Sequence, residues 1–406
     1  VTMGAFTSNG ARVWPVPPDW SNGVTETLAF ATDVMQATAT ASSQHRATRV
    51  APRRSFGFDV VACGPERRAT DMLLAGYSGE WLLPIFPDVQ WLRGSVEAAD
   101  EFIGCQTEGF DFAVGAKALL WHGINAWEVV EVAEIEETGL ALAAPLANDW
   151  AGPGIAPGAC LYPLRRANLQ DGVEEELLSD IAGKRSLNFN ILDACDWPAL
   201  DAPTLYLGHP VLTVRPDESE NPTASYSRLL QSVDYGTAAP LVHDLPKLAL
   251  RTQQHRWVLH RRPAHAWFRS LLYTLDGRRV PMWVPSWNSD LKMADAIGAA
   301  SVYLQVEWAG YTLFGLNQPN RRDIRIELSD GSVFYRRIAA SIEAGDVETL
   351  TLDSALGVAV APGAVRCVSF MALCTLASDS IEIEHATDAA GVATATTGWQ
   401  AVVPDV

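Results

Sequence analysis

Three histidines spaced by five residues, His255, His260 and His265, are the first candidates for metal ligands. Those intervals cross an extended segment and pass through Pro263, so the rings do not share a face and no metal site is expected there. No other set of His, Asp, Glu or Cys has coordination spacing, and GxSxG, phosphate-loop and HExxH motifs are absent. Glycoside hydrolysis asks only for two carboxylates across a cleft, and a chain with 48 acids neither supports nor excludes that. Fourteen tryptophans could stack on sugars, but several lie in Pro–Trp turns where packing is the better account. The six cysteines, Cys63, Cys105, Cys160, Cys195, Cys367 and Cys374, have no paired spacing and read as reduced core residues. Catalytic, cofactor-binding and metal residues are therefore none, no cofactor is expected, and the chain does not read as an enzyme.

The elements that would carry any such groups are written twice. Ser55–Val60 alternates as a half-buried strand, Pro65 opens a short helix with Ala69, Met72 and Leu73 on one face, and Leu83-Pro84-Ile85-Phe86-Pro87 forms a Pro-aromatic-Pro turn before Trp91. Arg256–His260, a helix from Pro263 to Tyr273 that aligns Trp267, Phe268, Leu271 and Leu272, and Pro281-Met282-Trp283-Val284-Pro285-Ser286-Trp287 repeat that order. Phe86 and Trp283 are expected to be buried equivalents. Two further matches keep the order: Phe30–Val34 with Leu230–Asp234, and Ile135–Gly139 then Ile155–Cys160 with Ile342–Asp346 then Val360–Val365. A repeat this long makes each copy a domain with its own core.

The expected organisation follows. Residues 1–168 are a first repeat with an extended Pro-rich arm (Trp14, Pro15, Pro17, Pro18, Trp20), and 169–205 a connector in which Glu174–Leu178 reads as an acidic helix. Residues 206–376 are the second repeat, and 377–406 a C-terminal strand, Ile381–Glu384, with a low-complexity arm containing Trp399. Strands are expected at Phe110–Val114, Ala126–Ile135, Arg185–Ile191 and Val347–Leu352. Asp323–Leu328 and Val333–Ile338 are expected to be joined by the hairpin turn Asp330-Gly331. The fold class is mainly β with a few short helices, as two tandem duplicated β-barrel- or sandwich-like domains.

A net charge of −18 argues against a nucleic-acid partner. The arginine pairs Arg53-Arg54, Arg67-Arg68, Arg261-Arg262 and Arg321-Arg322 read as edge-strand and interface charge. No apolar run is long enough to span a membrane, and no basic segment followed by an apolar one suggests a signal peptide.

The order of Trp20, Phe30-Ala31-Thr32-Asp33-Val34, Gln44-His45-Arg46, Arg49-Val50-Ala51-Pro52-Arg53-Arg54-Ser55-Phe56 and Leu83-Pro84-Ile85-Phe86 resembles the tail-tip (baseplate) structural proteins of siphophages and related prophages. Thr107–Gly115 and Tyr162-Pro163-Leu164 are similar to the same group. The resemblance implies a virion tail-tip protein, made in the host cytoplasm, that joins the tail tube to a hub or spike through ring assembly. It implies other tail-tip proteins as partners, and neither nucleic acid nor membrane insertion. Tubes in that group are sixfold and spikes threefold, so two repeats per chain imply a homotrimer of six similar domains. The alternative is a carbohydrate- or receptor-binding tail module, possibly with glycosidase activity.

Overall fold

The computed structural model describes residues 7–8, 11–77, 79–153, 158–170, 172–237, 239–387 and 391–403. The chain is mainly β, largely antiparallel, with few short helices. The first half runs β1 (Val24–Ala29), β2 (Thr32–Gln36), β3 (Ser43–Ala47), β4 (Arg53–Cys63), α1 (Gly64–Ala75), β5 (Trp81–Pro84) and β6 (Phe102–Gly104). It continues with β7 (Lys117–Gly123), β8 (Ala126–Glu136), β9 (Gly139–Leu142), β10 (Cys160–Leu169), β11 (Glu174–Leu177) and β12 (Ala182–Ile191). The second half runs β13 (Ala224–Ser227), β14 (Leu230–Val233), β15 (Leu241–Asp244), β16 (Leu250–His260), α2 (Arg261–Leu275), β17 (Met282–Pro285) and β18 (Tyr303–Glu307). It ends with β19 (Asp323–Leu328), β20 (Val333–Ala344), β21 (Val347–Leu352), β22 (Val365–Leu376), β23 (Ser380–His385) and β24 (Val392–Ala401).

Every strand pairing within the first half has a counterpart in the second. β4 pairs along its length with β12 as β16 does with β24, and β1 flanks β4 as β13 flanks β16. β10 collects β5, β7 and β12 as β22 collects β17, β19 and β24. The side sheets β7–β8–β9–β6 and β19–β20–β21–β18 match pair for pair. So do the hairpins β2–β3 and β14–β15, and the outer pairs β11–β12 and β23–β24. Even the lone parallel contact recurs, Val13 on Leu82 and Val211 on Trp283. Among the described strands, the pairing that joins the halves is β23 with β1, edge to edge, from Ser380 opposite Ala29 to His385 opposite Val24.

Local chemistry explains both helices. Each follows its long strand through a left-handed residue, Gly64 (φ 54°) or Arg261 (φ 66°). Pro65 and Pro263 then occupy the first turn, where a missing N–H costs no bond. α2 buries Phe268, Leu271, Leu272 and Leu275 on one stripe and stops at left-handed Asp276, whose N–H returns to Leu272 O. The arm residues Val13, Trp14 and Val16 are buried against β5 in the first core.

Several expectations need correction. Glu174–Leu177 is the strand β11, not a helix; its apparent helicity came from glutamates that line an exposed sheet edge. Phe110–Val114 forms no strand, because Asp111 is held by a backbone bond to Asp88 and by ion pairs, between left-handed Gly109 and Gly115. The residues read as a connector carry β11 and β12, and β12 is central to the first half. The low-complexity tail is β24, central to the second half, with Ala393, Ala395, Thr397, Trp399 and Ala401 buried. Phe86 and Trp283 are both buried, yet register makes Leu82 the counterpart of Trp283 and puts Trp287 in the place of Phe86. The Ile155–Pro157 part of one repeat match lies outside the described residues.

Candidate assembly interface at the junction of the halves

The β23–β1 seam is built on Glu26. Val24, Glu26 and Leu28 form the inward phase of β1, so the alternation that buries two apolar side chains also buries a carboxylate, 0% exposed. Three side chains meet it there. Arg54 of β4 donates Nε to Oε1 at 2.6 Å, and Arg269 of α2 donates Nη2 to both oxygens at 2.8 and 2.9 Å. His385 of β23 places Nε2 3.0 Å from Oε2. Arg54 also pairs with Asp111, which Arg165 of β10 binds at 2.5 Å. The halves thus share one charge network: Glu26, Arg54, Asp111 and Arg165 from the first, Arg269 and His385 from the second.

Burial alone would raise the pKa of Glu26, but the guanidiniums of Arg269 and Arg54 and the bond from His385 hold it well below the carboxylate range. Burial likewise opposes ionisation of Asp111, and Arg54 and Arg165 overcome it. A second bridge lies beside this one. Arg262 of α2 donates to Asp88 Oδ1 at 2.6 Å and to Pro87 O, and its guanidinium lies 4.3 Å from the Phe110 ring centroid. At the far end of α2, Asp379 accepts from Thr32 N at 3.0 Å, Thr32 Oγ1 at 2.9 Å and Arg278 N at 2.9 Å, tying the β2–β3 hairpin to the other half. A Cβ on Gly277 would meet Asp379 Oδ1 at 2.5 Å, so only glycine lets these groups close.

The network has no room for a substrate. The cavity bordered by Arg54, Asp111, Arg165, Arg269 and Tyr273 is about 10 Å³, at most one water. Among the described residues no three His, Cys, Asp or Glu converge as a metal site. His255 is buried beside Trp257 and Trp399, His260 is exposed, and His265 stacks 5.8 Å from His385, so the three do not meet. Of the cysteines, Cys63 is exposed, Cys195 half-buried and the rest buried, all as free thiols. Cys105 borders a cleft of about 760 Å³, but burial pushes its thiol up to about 12.

From the sequence, two arginine pairs read as interface charge do send one member, Arg54 or Arg262, into this junction. Glu26, Asp111, Arg269 and His385 were not found by that reading. The available signal was a lone glutamate in the apolar phase of Val24–Ala29. No protein-family model matches the chain, and no curated protein is significantly similar to it.

Proposed function

We propose that the chain is an internally duplicated structural component of a bacteriophage tail tip, a homotrimeric ring member that joins the tail tube to a central hub or spike. The observation that carries this reading is the seam. One half docks on the other by strand continuation and a buried ion network, while the corresponding edges on the outer flanks, β11 and β13, stay unpaired among the described residues. A unit whose two ends repeat the halves of its own internal joint is suited to closed assembly, which also removes exposed sheet edges. The polar cluster at the seam supports a structural role, since its charges are spent on one another. The correspondence of strand pairings between the halves supports the duplication.

Native mass spectrometry and light scattering of the purified chain test the reading, with electron microscopy of tails for its position. A salt-resistant closed oligomer of three chains without glycan affinity is the expected result. A monomer at all concentrations that binds glycans saturably would overturn it and favour a carbohydrate- or receptor-binding module.

A further inference from the structure

The two halves differ in what covers their edges, and that difference identifies a partner. β1 is flanked by β23 on its outer side, and Leu28 is 1% exposed. Among the described residues its counterpart β13 has no strand on that side, and Tyr226, in the place of Leu28, is 61% exposed. β23 lies against β1, and Ile381, Ile383 and His385 are buried. Among the described residues the corresponding strand β11 pairs only with β12, and Leu177, in the place of His385, is 62% exposed. Arg251 sits where Arg54 sits, opposite Tyr226 as Arg54 is opposite Leu28. Arg54 holds two carboxylates; among the described residues Arg251 has no ion pair and its Nε is buried without a partner.

We propose that β11 of one copy pairs antiparallel with β13 of the next, repeating between chains the β23–β1 seam within each chain. This rests on the reading of the chain as a ring component and specifies the contact that closes the ring. Transferring the seam's register places Glu174 opposite Ser225, Glu175 opposite Ala224 and Val173 opposite Tyr226. Charge agrees with the pairing. On β11, Glu175 falls on the same face as Arg251 and also binds Arg185, and the cleft of about 360 Å³ beside Tyr226 is lined by Arg228, Lys247, Arg251 and Arg321 with one acid, Asp290. The seam's own polarity is thereby exchanged. Within the chain, β1 contributes the acid and α2 an arginine; between chains, β11 contributes Glu175 and β16 Arg251. The occupant is a second copy of this chain, because its β11 edge has the strand geometry, the length and the charge that β13 lacks.

Disulfide trapping in the full chain tests this. In a Cys63→Ser background, Glu174→Cys with Ser225→Cys is expected to give, on mild oxidation, a ladder ending at a closed trimer. Either single variant, or the off-register pair Glu174→Cys with Thr223→Cys, is expected to give little. All three positions are exposed, so the variants keep the fold. Closed oligomers that form without the Glu174–Ser225 cross-link would overturn the contact and leave the assembly reading standing. A chain that neither oligomerises nor cross-links would overturn both.

Discussion

Glu26 shows how one residue ties the halves together. Three cationic or hydrogen-bonding side chains from three elements converge on it, all nearly excluded from solvent. Removing one partner of a buried ion network leaves the others uncompensated, so Glu26→Ala is expected to destabilise the chain by about 3–5 kcal/mol. Urea unfolding at neutral pH checks this, and a loss below about 1 kcal/mol would exclude the network as a structural tie. Acid should act in two windows. His255 and His265 are lowered to about 4, chiefly by burial. They stabilise the fold fully above the unfolded imidazole value, about 6.5, and that contribution is lost as pH falls towards 4. Glu26 and Asp111 are depressed carboxylates, so their contribution is present above about 4.3 and fades at still lower pH. The melting temperature should therefore decline already between pH 6.5 and 4, and His255→Gln should flatten that decline; a flat wild-type profile would contradict the assignment. Glu26 was legible only as an anomaly in an alternating strand. Its partners lie up to 359 positions away, a distance that local periodicity does not bridge.

At the scale of elements, period-two alternation revealed the long strands well because each presents one face to a core. It also runs through Ala393, Ala395, Thr397 and Trp399, but small residues carry little hydrophobic signal, so β24 read as a tail. The β11 edge misled for the opposite reason: with no buried face, its glutamates follow no strand period. Truncation after residue 386 decides what β24 does. It strips β16 from Thr252 to His260 and removes Trp399 from the second core, so the protein is expected to lose cooperative unfolding of that half. A truncated chain with wild-type near-ultraviolet dichroism and melting would mean that β24 is dispensable. Trp283 of β17 is fully buried, donates its indole N–H to Tyr206 O at 2.9 Å and lies 5.5 Å edge-on to the Tyr206 ring. Trp283→Ala is expected to cost about 3–5 kcal/mol, readable by urea unfolding.

For the whole molecule, the decisive fact is that the first half lends core side chains to the second as well as pairing with its edge strand. Leu28 and Phe30 of the first half are buried in the second-half core with Leu271, Leu272, Ile381 and Ile383. β23 completes the sheet of β1, and α2 seals Glu26. Equivalent strand pairings therefore do not make two independent bodies. Each half needs the other at this joint, and the apolar surface at stake is contributed by both sequences. Fragments 1–205 and 206–406 test that dependence directly. Produced alone, each exposes an unpaired seam strand, and the first also leaves Glu26 and Arg54 facing solvent without Arg269 and His385. They are expected to be aggregation-prone and to melt well below the intact chain, because open apolar edges invite non-native pairing. Mixed during refolding, they are expected to form a one-to-one complex whose melting approaches that of the intact chain, and Glu26→Ala in the first fragment should abolish that recovery. The complex can be followed by size-exclusion light scattering and thermal dichroism. Two fragments that each unfold cooperatively at the temperature of the intact chain, without binding one another, would show that the seam is incidental to stability.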